Sequence, residues 1–389
     1  MEIAYTPEQE ALRQQLRAYF AGLMTPQVEA EVAAGNTGGP HCLAAVRQMG
    51  RDGWLGIGWP KEYGGQGRTP IEQFIFYDEA WRVLAPIPAL TINTVAQTIM
   101  AFGTEEQKQF FLPKILRGEL HFSIGYTEPN AGTDLASLQT RAVRDGDEWV
   151  INGQKIYTSL AGYADYIWLA ARTDPEAPKH KGISTFAVPT TAPGFSYNII
   201  HTIVDSGTTA TFYDNVRVPH SALIGSLNKG WKLITNQLNY ERVSICPPGM
   251  IEKVYEDTVQ WARDTRCADE RRVIDQEWVQ LTLARVHAKL EYLKLINWKV
   301  ASGGSMNPAD ASATKVFGTE FFCEAYRLLL EVIGQAGYVR HGSAGAVLKG
   351  RIERAYQGTL FLTFGGGTNE VQRDLIALFG LSMPRAPRF

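Results

Sequence analysis

The chain has 389 residues and carries 38 Lys and Arg against 40 Asp and Glu, a net charge of −2. This balance argues against a broad nucleic-acid-binding surface, although a local basic pocket for a phosphorylated ligand is compatible with it. The length exceeds what one ordinary core fills, so it favours two or three domains or one large helical unit with an insert.

Residues 1–122 are predicted to form an N-terminal helical domain. A helix is expected to start at Thr6, because Thr is a preferred N-cap, a proline follows at the first helical position, and Gln9 completes a capping box. Apolar residues recur at helical spacing in residues 71–83 and 107–116. Loops rich in turn-forming residues separate these segments.

Residues 123–229 are predicted to form a central β domain. Hairpin signals are expected at Asp145-Gly146-Asp147 and at Asn152-Gly153. The predicted strands are short and mostly rich in β-branched and aromatic residues, at 140–143, 149–151, 166–171, 183–188 and 211–218.

Residues 230–389 are predicted to form a C-terminal helical bundle. Long amphipathic stretches cover 278–300 and 307–333, and Asn307 is expected to cap the second. A proline pair at 247–248 should kink or end the helix before it. The order of helical, β and helical segments gives an α+β multi-domain fold class.

The cysteines and histidines form no disulfide or metal pattern. No two histidines have metal-ligand spacing on a helix face, so no metal is expected. No apolar run reaches the roughly 18 residues of a membrane span, and no secretory signal is visible. No CxxC motif occurs, so we expect reduced thiols in a cytoplasmic protein at Cys42, Cys246, Cys267 and Cys323.

Four short segments carry a more specific signal. Residues 126–134 read YTEPNAGTD, residues 152–159 read NGQKIYTS, residues 216–219 read VRVP with Gly225 after them, and residues 365–373 read GGGTNEVQR. In this order and at these separations they resemble two flavin-binding segments, the end of the β domain and the active-site segment of the acyl-CoA dehydrogenase family. The resemblance covers essentially the whole chain. It implies an N-terminal helical domain, a central β domain and a C-terminal four-helix bundle.

The resemblance also implies FAD as cofactor and an acyl-CoA thioester as substrate, oxidised to a trans-2-enoyl-CoA. In such enzymes the flavin carries the hydride chemistry, a carboxylate takes the α-proton, and hydrogen-bond donors hold the thioester oxygen. An electron-transfer flavoprotein is the implied electron acceptor. The residues implied in flavin binding are Tyr126, Thr127, Gly132, Thr133, Tyr157, Thr158, Ser159, Thr368 and Glu370.

The position of the base differs between branches of this family. Most members carry it at the position of Gly366, whereas a smaller branch, which includes isovaleryl- and long-chain-type enzymes, carries it in a Glu-Arg motif on a helix of the C-terminal domain. Residues 238–242 read LNYER, so the resemblance implies that Glu241 is the base. Substrate-binding roles carry over to Asn239, Arg242, Gly366 and Gly367, with Asn239 standing where that branch usually has Asp.

Residues that complete a neighbour's flavin site are missing. Homotetrameric members hold the ADP end of each flavin with Arg-x-x-Phe-Gly and Gln-x-x-Gly-Gly segments of an adjacent subunit. Here neither Arg263 nor Arg266 precedes a Phe-Gly pair, and Glu331 replaces the Gln. A carboxylate is repelled by a pyrophosphate and lacks amide donors. Together with MGRDGW at 49–54, this pattern resembles the base-bearing subunit of α2β2 heterotetrameric steroid side-chain acyl-CoA dehydrogenases of actinobacteria, which implies a sister subunit and a steroid-CoA substrate.

Two alternatives stay open. An acyl-CoA oxidase or monooxygenase has the same fold and differs in oxygen access, which the sequence does not show. A non-catalytic structural subunit is favoured by the missing ADP-side residues, whereas Glu241 and the intact ring-binding motifs argue against it.

Overall fold

The computed structural model describes residues 4–204, 207–244, 246–302 and 308–385. Its helices are α1 Pro7–Leu23, α2 Pro26–Ala33, α3 Pro40–Arg51, α4 Pro70–Arg82, α5 Ala96–Phe102, α6 Glu105–Leu116, α7 Gly230–Ser244, α8 Gly249–Asp264, α9 Glu277–Ser302, α10 Pro308–Ile333, α11 Arg351–Thr359 and α12 Asn369–Leu375. Its strands are β1 Phe122–Gly125, β2 Arg141–Asp145, β3 Glu148–Lys155, β4 Tyr166–Arg172, β5 Ile183–Pro189, β6 Phe195–Ile200, β7 Thr208–Pro219 and β8 Leu223–Ile224. The predicted order of N-terminal helices, central strands and C-terminal helices is confirmed.

The chain divides into two compact units, and neither is one continuous stretch of sequence. The first unit contains the residues up to Glu29, Arg68–Ala85 and the residues from Arg242 onward. The second unit contains Ala30–Gly67 and Pro86–Glu241. The predicted domain limits after residues 122 and 229 follow the changes in secondary structure and stay a prediction.

A β-sheet forms the framework of the second unit. Its strand order is β6-β7-β3-β2-β4-β5-β8, with β1 parallel to β4. The described strands otherwise pair antiparallel, apart from a one-residue parallel contact between β2 and β4. Buried side chains such as Trp149, Ile151, Phe186 and Val216 form a core on this sheet. The sheet thereby fixes the ends of β1 and β3, from which the two predicted flavin segments extend.

The five predicted strands correspond to β2, β3, β4, β5 and β7. The Asp-Gly-Asp signal is confirmed, since Gly146 has φ 61° in the turn that joins β2 to β3. Strands β1, β6 and β8 were not predicted.

The prediction of a hairpin turn at Asn152-Gly153 is wrong. Both residues lie inside β3, where the pairing with β7 shifts between Ile151 and Gly153. Asn152 Oδ1 accepts the Asn215 N–H across this irregularity at 2.8 Å. Gly153 has φ 147°, and a Cβ there would lie 2.6 Å from Thr140 Oγ1. Here the Asn-Gly pair therefore accommodates a bulge and a close approach of two backbones, and not a chain reversal.

The first unit is helical. Its first helix begins as predicted, because Thr6 Oγ1 accepts the Gln9 N–H at 3.3 Å and Gln9 Oε1 accepts the Thr6 N–H at 3.0 Å. Residues of α8, α9 and α10 share one apolar core. Helix α7 ends before the proline pair at 247–248 and α8 follows it, which confirms the predicted helix end. The predicted cap Asn307 lies outside the described residues.

Buried charges connect α1, α4 and α8 in this unit. Glu79, which is 2% exposed, accepts from Arg13 Nε at 2.9 Å and from Arg17 Nε at 2.8 Å. Arg82 Nη1 lies 2.5 Å from Glu252 Oε2. Since each carboxylate is held by guanidinium groups from another helix, these pairs fix the helices relative to one another within the unit.

Within the described part of the chain, no helix is long and apolar enough to cross a membrane. Among the same residues, no three His, Cys, Asp or Glu side chains are grouped so that they could hold a metal ion. All four cysteines are free thiols.

Candidate active site

The first predicted flavin segment begins at a buried tyrosine. Tyr126 directly follows β1 and is 6% exposed. Its hydroxyl accepts a hydrogen bond from Trp168 Nε1 at 3.1 Å and donates to Gln237 Oε1 on α7. Both polar functions of the hydroxyl are thus satisfied inside the unit, so the ring is held in one position.

A buried ion pair supports the same segment. Lys155 Nζ, at the end of β3, lies 2.8 Å from Glu128 Oε1 and also donates to the Tyr126 carbonyl at 3.0 Å. Glu128 additionally accepts the N–H groups of Gln139 and Thr140 at 2.7 and 2.8 Å. Burial alone would raise the pKa of Glu128, but the Lys155 ammonium and these N–H donors hold it below its ordinary value. Burial lowers the pKa of Lys155 to about 8, against the opposing effect of Glu128.

The second predicted flavin segment is tied to the first. The Ile156 N–H donates to the Thr127 carbonyl at 2.8 Å. The next residue, Tyr157, has a left-handed backbone with φ 60°, and its side chain is 62% exposed. Non-glycine residues in this conformation are uncommon and concentrate at ligand-binding sites.

The next two residues differ in what they can offer a ligand. Thr158 is fully buried, so its side chain is part of the sheet interior. Its backbone N–H donates to the Thr209 carbonyl at 3.0 Å. Ser159 is exposed, with its Oγ 3.0 Å from Thr208 Oγ1. Gly132 and Thr133 of the first segment are exposed as well.

These residues fit the chemical groups of FAD. Tyr157 presents an exposed aromatic face of the kind on which a flat heteroaromatic ring stacks. Thr133 presents a hydroxyl that suits a phosphate oxygen. A Cβ at Gly132 would have Thr127 Cγ2 as its nearest neighbour at 3.9 Å, so the backbone there is open to close approach by a ligand.

Helix α7 carries the predicted base. Asn239, Glu241 and Arg242 all lie on it, but their side chains fall outside the described part of the chain, so their roles stay predictions. Gln237 lies four residues before Glu241, about one helical turn. It is fully buried, its Oε1 accepts from Tyr126, and no described residue accepts from its Nε2.

The glycine-rich segment of the first unit forms a tight turn before α12. Gly366 and Gly367 have φ values of 68° and 97°, which favour glycine. A Cβ at Gly367 would lie 2.7 Å from Gln372 Nε2. Thr368 is the N-cap of α12 and accepts the Val371 N–H at 3.3 Å, so its hydroxyl has a structural role. Glu370 is exposed in the first turn of this helix.

Sequence reasoning missed the buried polar residues behind these segments. Glu128 and Lys155 were visible only as members of a motif, and Gln237 gave no signal. Lys315 is fully buried on α10 and donates to the glycine-rich segment. Its position among apolar residues at helical spacing was the one available sign that its ammonium faces the interior.

The residues at which this chain departs from the homotetrameric pattern form interactions with nearby residues of the same chain. Glu331 forms an exposed ion pair with Arg327 one helical turn away. Arg266 Nη1 donates to the Glu270 carbonyl at 2.6 Å in a tight loop. Both side chains therefore have hydrogen-bonding partners within this chain.

The sequence matches all three domains of one family. Residues 6–119 match the acyl-CoA dehydrogenase N-terminal domain, residues 123–216 the middle domain and residues 228–380 the C-terminal domain. The chain belongs to the acyl-CoA dehydrogenase family.

Several relatives of this acyl-CoA dehydrogenase match it from end to end. The acyl-CoA dehydrogenase FadE26 of Mycobacterium tuberculosis (strain ATCC 25618 / H37Rv) is 58% identical over 404 residues, which cover 100% of both chains. A chain of the ChsE4-ChsE5 complex from Mycobacterium tuberculosis is 59% identical with a TM-score of 0.94, covering 99% of this chain and 100% of that chain. A chain of the Tcur3481-Tcur3483 steroid ACAD is 51% identical with a TM-score of 0.94 at the same coverage. The family and the fold predicted from the motifs are therefore confirmed.

Proposed function

We propose that this chain is the base-bearing subunit of a heteromeric, FAD-dependent acyl-CoA dehydrogenase that oxidises a steroid side-chain CoA thioester to its trans-2-enoyl-CoA. The observation that carries this proposal is the match over nearly the full length to chains of the ChsE4-ChsE5 complex and of a steroid ACAD, at 59% and 51% identity. Both names describe two-component assemblies, and the second names a steroid enzyme.

The flavin would be held by residues 126–133 and 157–159. Bound FAD supplies a hydride acceptor for the substrate β-carbon. The exposed Tyr157 face would pack on the ring, and Thr133 would donate to a phosphate oxygen. Buried Lys155 and Glu128 would keep the loop in place without touching the ligand.

Glu241 would take the α-proton of the thioester. This C–H bond is a very weak acid, so the carboxylate must lie within hydrogen-bond reach of it, and the developing enolate oxygen needs donors. The backbone N–H groups of Gly366 and Gly367 would supply those donors. Arg242 would bind the CoA portion through its fixed positive charge, and Asn239 would add a polar contact to the ligand.

A sister subunit would complete the ADP end of the flavin site. This chain lacks the Phe-Gly and Gln residues of the homotetrameric pattern, and Glu331, which replaces the Gln, forms an ion pair with Arg327. An electron-transfer flavoprotein would reoxidise the cofactor, and the reaction would run in the cytoplasm.

The deciding experiment is anaerobic bleaching of the flavin absorbance by a steroid-CoA thioester. The chain co-purified with its sister subunit is compared with the Glu241→Gln variant and with Glu105→Gln, an exposed control at the start of α6. We expect bleaching in the wild type and the control, and none in Glu241→Gln. Equal bleaching in Glu241→Gln would transfer the base to another residue or subunit and leave this chain a structural role.

Separate expression tests the heteromer. The chain produced alone should bind little FAD, and the co-expressed pair should bind it fully. Full flavin occupancy of the lone chain would contradict the need for a sister subunit. Oxygen consumption during turnover would indicate an oxidase.

A further inference from the structure

One lysine of the first unit is buried and donates three hydrogen bonds to the glycine-rich segment. Lys315 lies on α10 with 0% exposure. Its Nζ donates to the Thr363 carbonyl at 3.1 Å, to the Gly367 carbonyl at 2.9 Å and to Asn369 Oδ1 at 2.7 Å. An ammonium group has three donors, and these three acceptors all belong to one short stretch of chain, residues 363–369.

The same face of α10 holds the rest of that stretch. Asn369 Nδ2 donates to Thr319 Oγ1 at 3.1 Å, and Ser312 Oγ donates to Gln372 Oε1 at 2.9 Å. Ser312, Lys315 and Thr319 follow one another at spacings of three and four residues, so they line one side of the helix. Polar side chains on one side of α10 therefore hold the glycine-rich turn in place by hydrogen bonds.

These hydrogen bonds from α10 leave the N–H groups of Gly366 and Gly367 available. The Gly365 N–H donates to the Phe361 carbonyl at 2.8 Å. Among the described residues, the N–H groups of Gly366 and Gly367 have no acceptor. Lys315 binds the carbonyls of Thr363 and Gly367, which come before and after the two N–H groups in the chain. It therefore restrains both ends of a segment whose own flexibility is high because it is built of glycine.

We infer that Lys315 is a positioning residue for acyl-CoA oxidation, acting through the Gly366 and Gly367 peptides that would hold the thioester oxygen. The inference rests on the proposed function and assigns a role to a residue that never contacts the ligand. Without the ammonium anchor the turn would sample other orientations, and a displacement of about 1 Å at a catalytic donor can cost roughly 100-fold in rate.

The test separates recognition of the carbonyl from folding. Wild type, Lys315→Met and Lys315→Gln are purified with the sister subunit, and calorimetry measures binding of a steroid-CoA thioester and of the matching CoA thioether, which lacks the carbonyl oxygen. We expect Lys315→Met to bind the thioester at least tenfold more weakly and the thioether with unchanged affinity. Flavin reduction by the thioester should slow by roughly 10- to 100-fold. Lys315→Gln keeps an amide group with two N–H donors, so its thioester affinity should fall between those of the wild type and Lys315→Met.

Lys349→Met is the matched control, since Lys349 is exposed outside α9 and pairs with Glu29 at 3.5 Å. It should leave both affinities unchanged. Equal weakening of thioester and thioether in Lys315→Met, or full affinity for both, would overturn the inference and leave Lys315 a packing role. If Lys315→Met does not fold, Lys315→Gln gives the same comparison. The readout is the difference between thioester and thioether affinity, so a failure here is distinguishable from a failure of Glu241 as the base.

Discussion

At the scale of single residues, a buried lysine lies behind each of the two glycine- or turn-rich segments predicted to meet a ligand. Lys155 donates to the Tyr126 carbonyl, and Lys315 donates to the Gly367 carbonyl. An ammonium group has no acceptor function, so it can bind only oxygen atoms of the loop and cannot compete for the loop's N–H donors. Neither lysine therefore occupies an N–H donor of the loop that it binds.

The Lys155→Met variant should lose stability and flavin together. It leaves the Glu128 carboxylate buried without its cation, a type of loss that costs about 3–5 kcal/mol. The melting temperature and the FAD content of the co-purified complex should both fall. Lys179→Met, which removes an exposed partner of Asp134, should change neither.

A second substitution checks the cause. In Lys155→Met with Glu128→Gln, the uncompensated charge is gone, so part of the lost melting temperature should return. If the double variant is no more stable than Lys155→Met, packing of the lysine side chain, and not the charge, supports the loop.

The sequence identified the segments of the candidate site better than the groups within them. Tyr126, Tyr157 and Gly366 could be predicted as site residues because each lies in a short segment that resembles a motif of the family. Glu128 and Lys155 meet 27 residues apart through the register of β3 beside the loop, a tertiary consequence that no local pattern encodes. The side chain of Glu241 is not described, so the base stays a prediction.

At the scale of elements, α8 is capped by another helix. Its N-cap is Pro248, which provides no side-chain acceptor, and Asp78 of α4 accepts the Gly249 N–H at 2.6 Å instead. A Cβ at Gly249 would lie 2.1 Å from the Asp78 carbonyl oxygen, so the two helices approach as closely as they do only with glycine there. Burial, and next the nearby Glu252 carboxylate, raise the pKa of Asp78 to about 7.

This shift predicts a pH-dependent gain from Asp78→Asn. The pKa of the folded carboxyl exceeds its unfolded value of about 3.9, so the favourable contribution is complete below pH 4 and is lost as the pH rises through 7. Asn keeps an oxygen acceptor for Gly249 and removes the charge. The variant should therefore melt above the wild type at pH 8, by a smaller margin at pH 5.

The control is Asp264→Asn, at the exposed end of α8, which should leave the melting temperature nearly unchanged at both values. A gain for Asp78→Asn that is equal at pH 5 and pH 8 would contradict the assigned cause.

Long periodic helices were predicted within a few residues, whereas three strands were missed for identifiable reasons. Strand β1 has four residues and β8 has two, which are too few to show an alternation of apolar and polar residues. Strand β6 is largely exposed and carries a polar run, so it lacks the apolar signal of a half-buried strand. Asn152-Gly153 has the composition of a turn, but the surrounding strand pairing overrode that preference.

At the scale of the whole molecule, α9 carries exposed apolar side chains on one face. Trp278, Leu281, Tyr292 and Leu295 are 47%, 64%, 51% and 43% exposed. Their spacings of 3, 11 and 3 residues place them within about 100° around the helix. Two pairs of exposed apolar side chains on one side of a helix suit an interaction surface, and we propose that the sister subunit contacts them.

The Leu281→Glu variant should weaken that association. A charge placed in an apolar contact must be desolvated without a partner, so the sister subunit should be recovered in lower yield with the tagged variant. Leu227→Glu makes the same change at a leucine that is 43% exposed outside α9 and should leave recovery unchanged. Normal recovery of the sister with Leu281→Glu would remove this face from the proposed interface.

The ion pair between Arg82 and Glu252 joins positions 170 residues apart in the sequence. At elongation rates of about 5–20 residues per second, roughly 10–30 s pass on the ribosome between the emergence of the first and of the second. Throughout that interval α1 and α4 are already synthesised, while the α8 carboxylate and the apolar faces that cover them are not. These two helices therefore remain without their α8 partner during that part of translation, and slower elongation prolongs the interval.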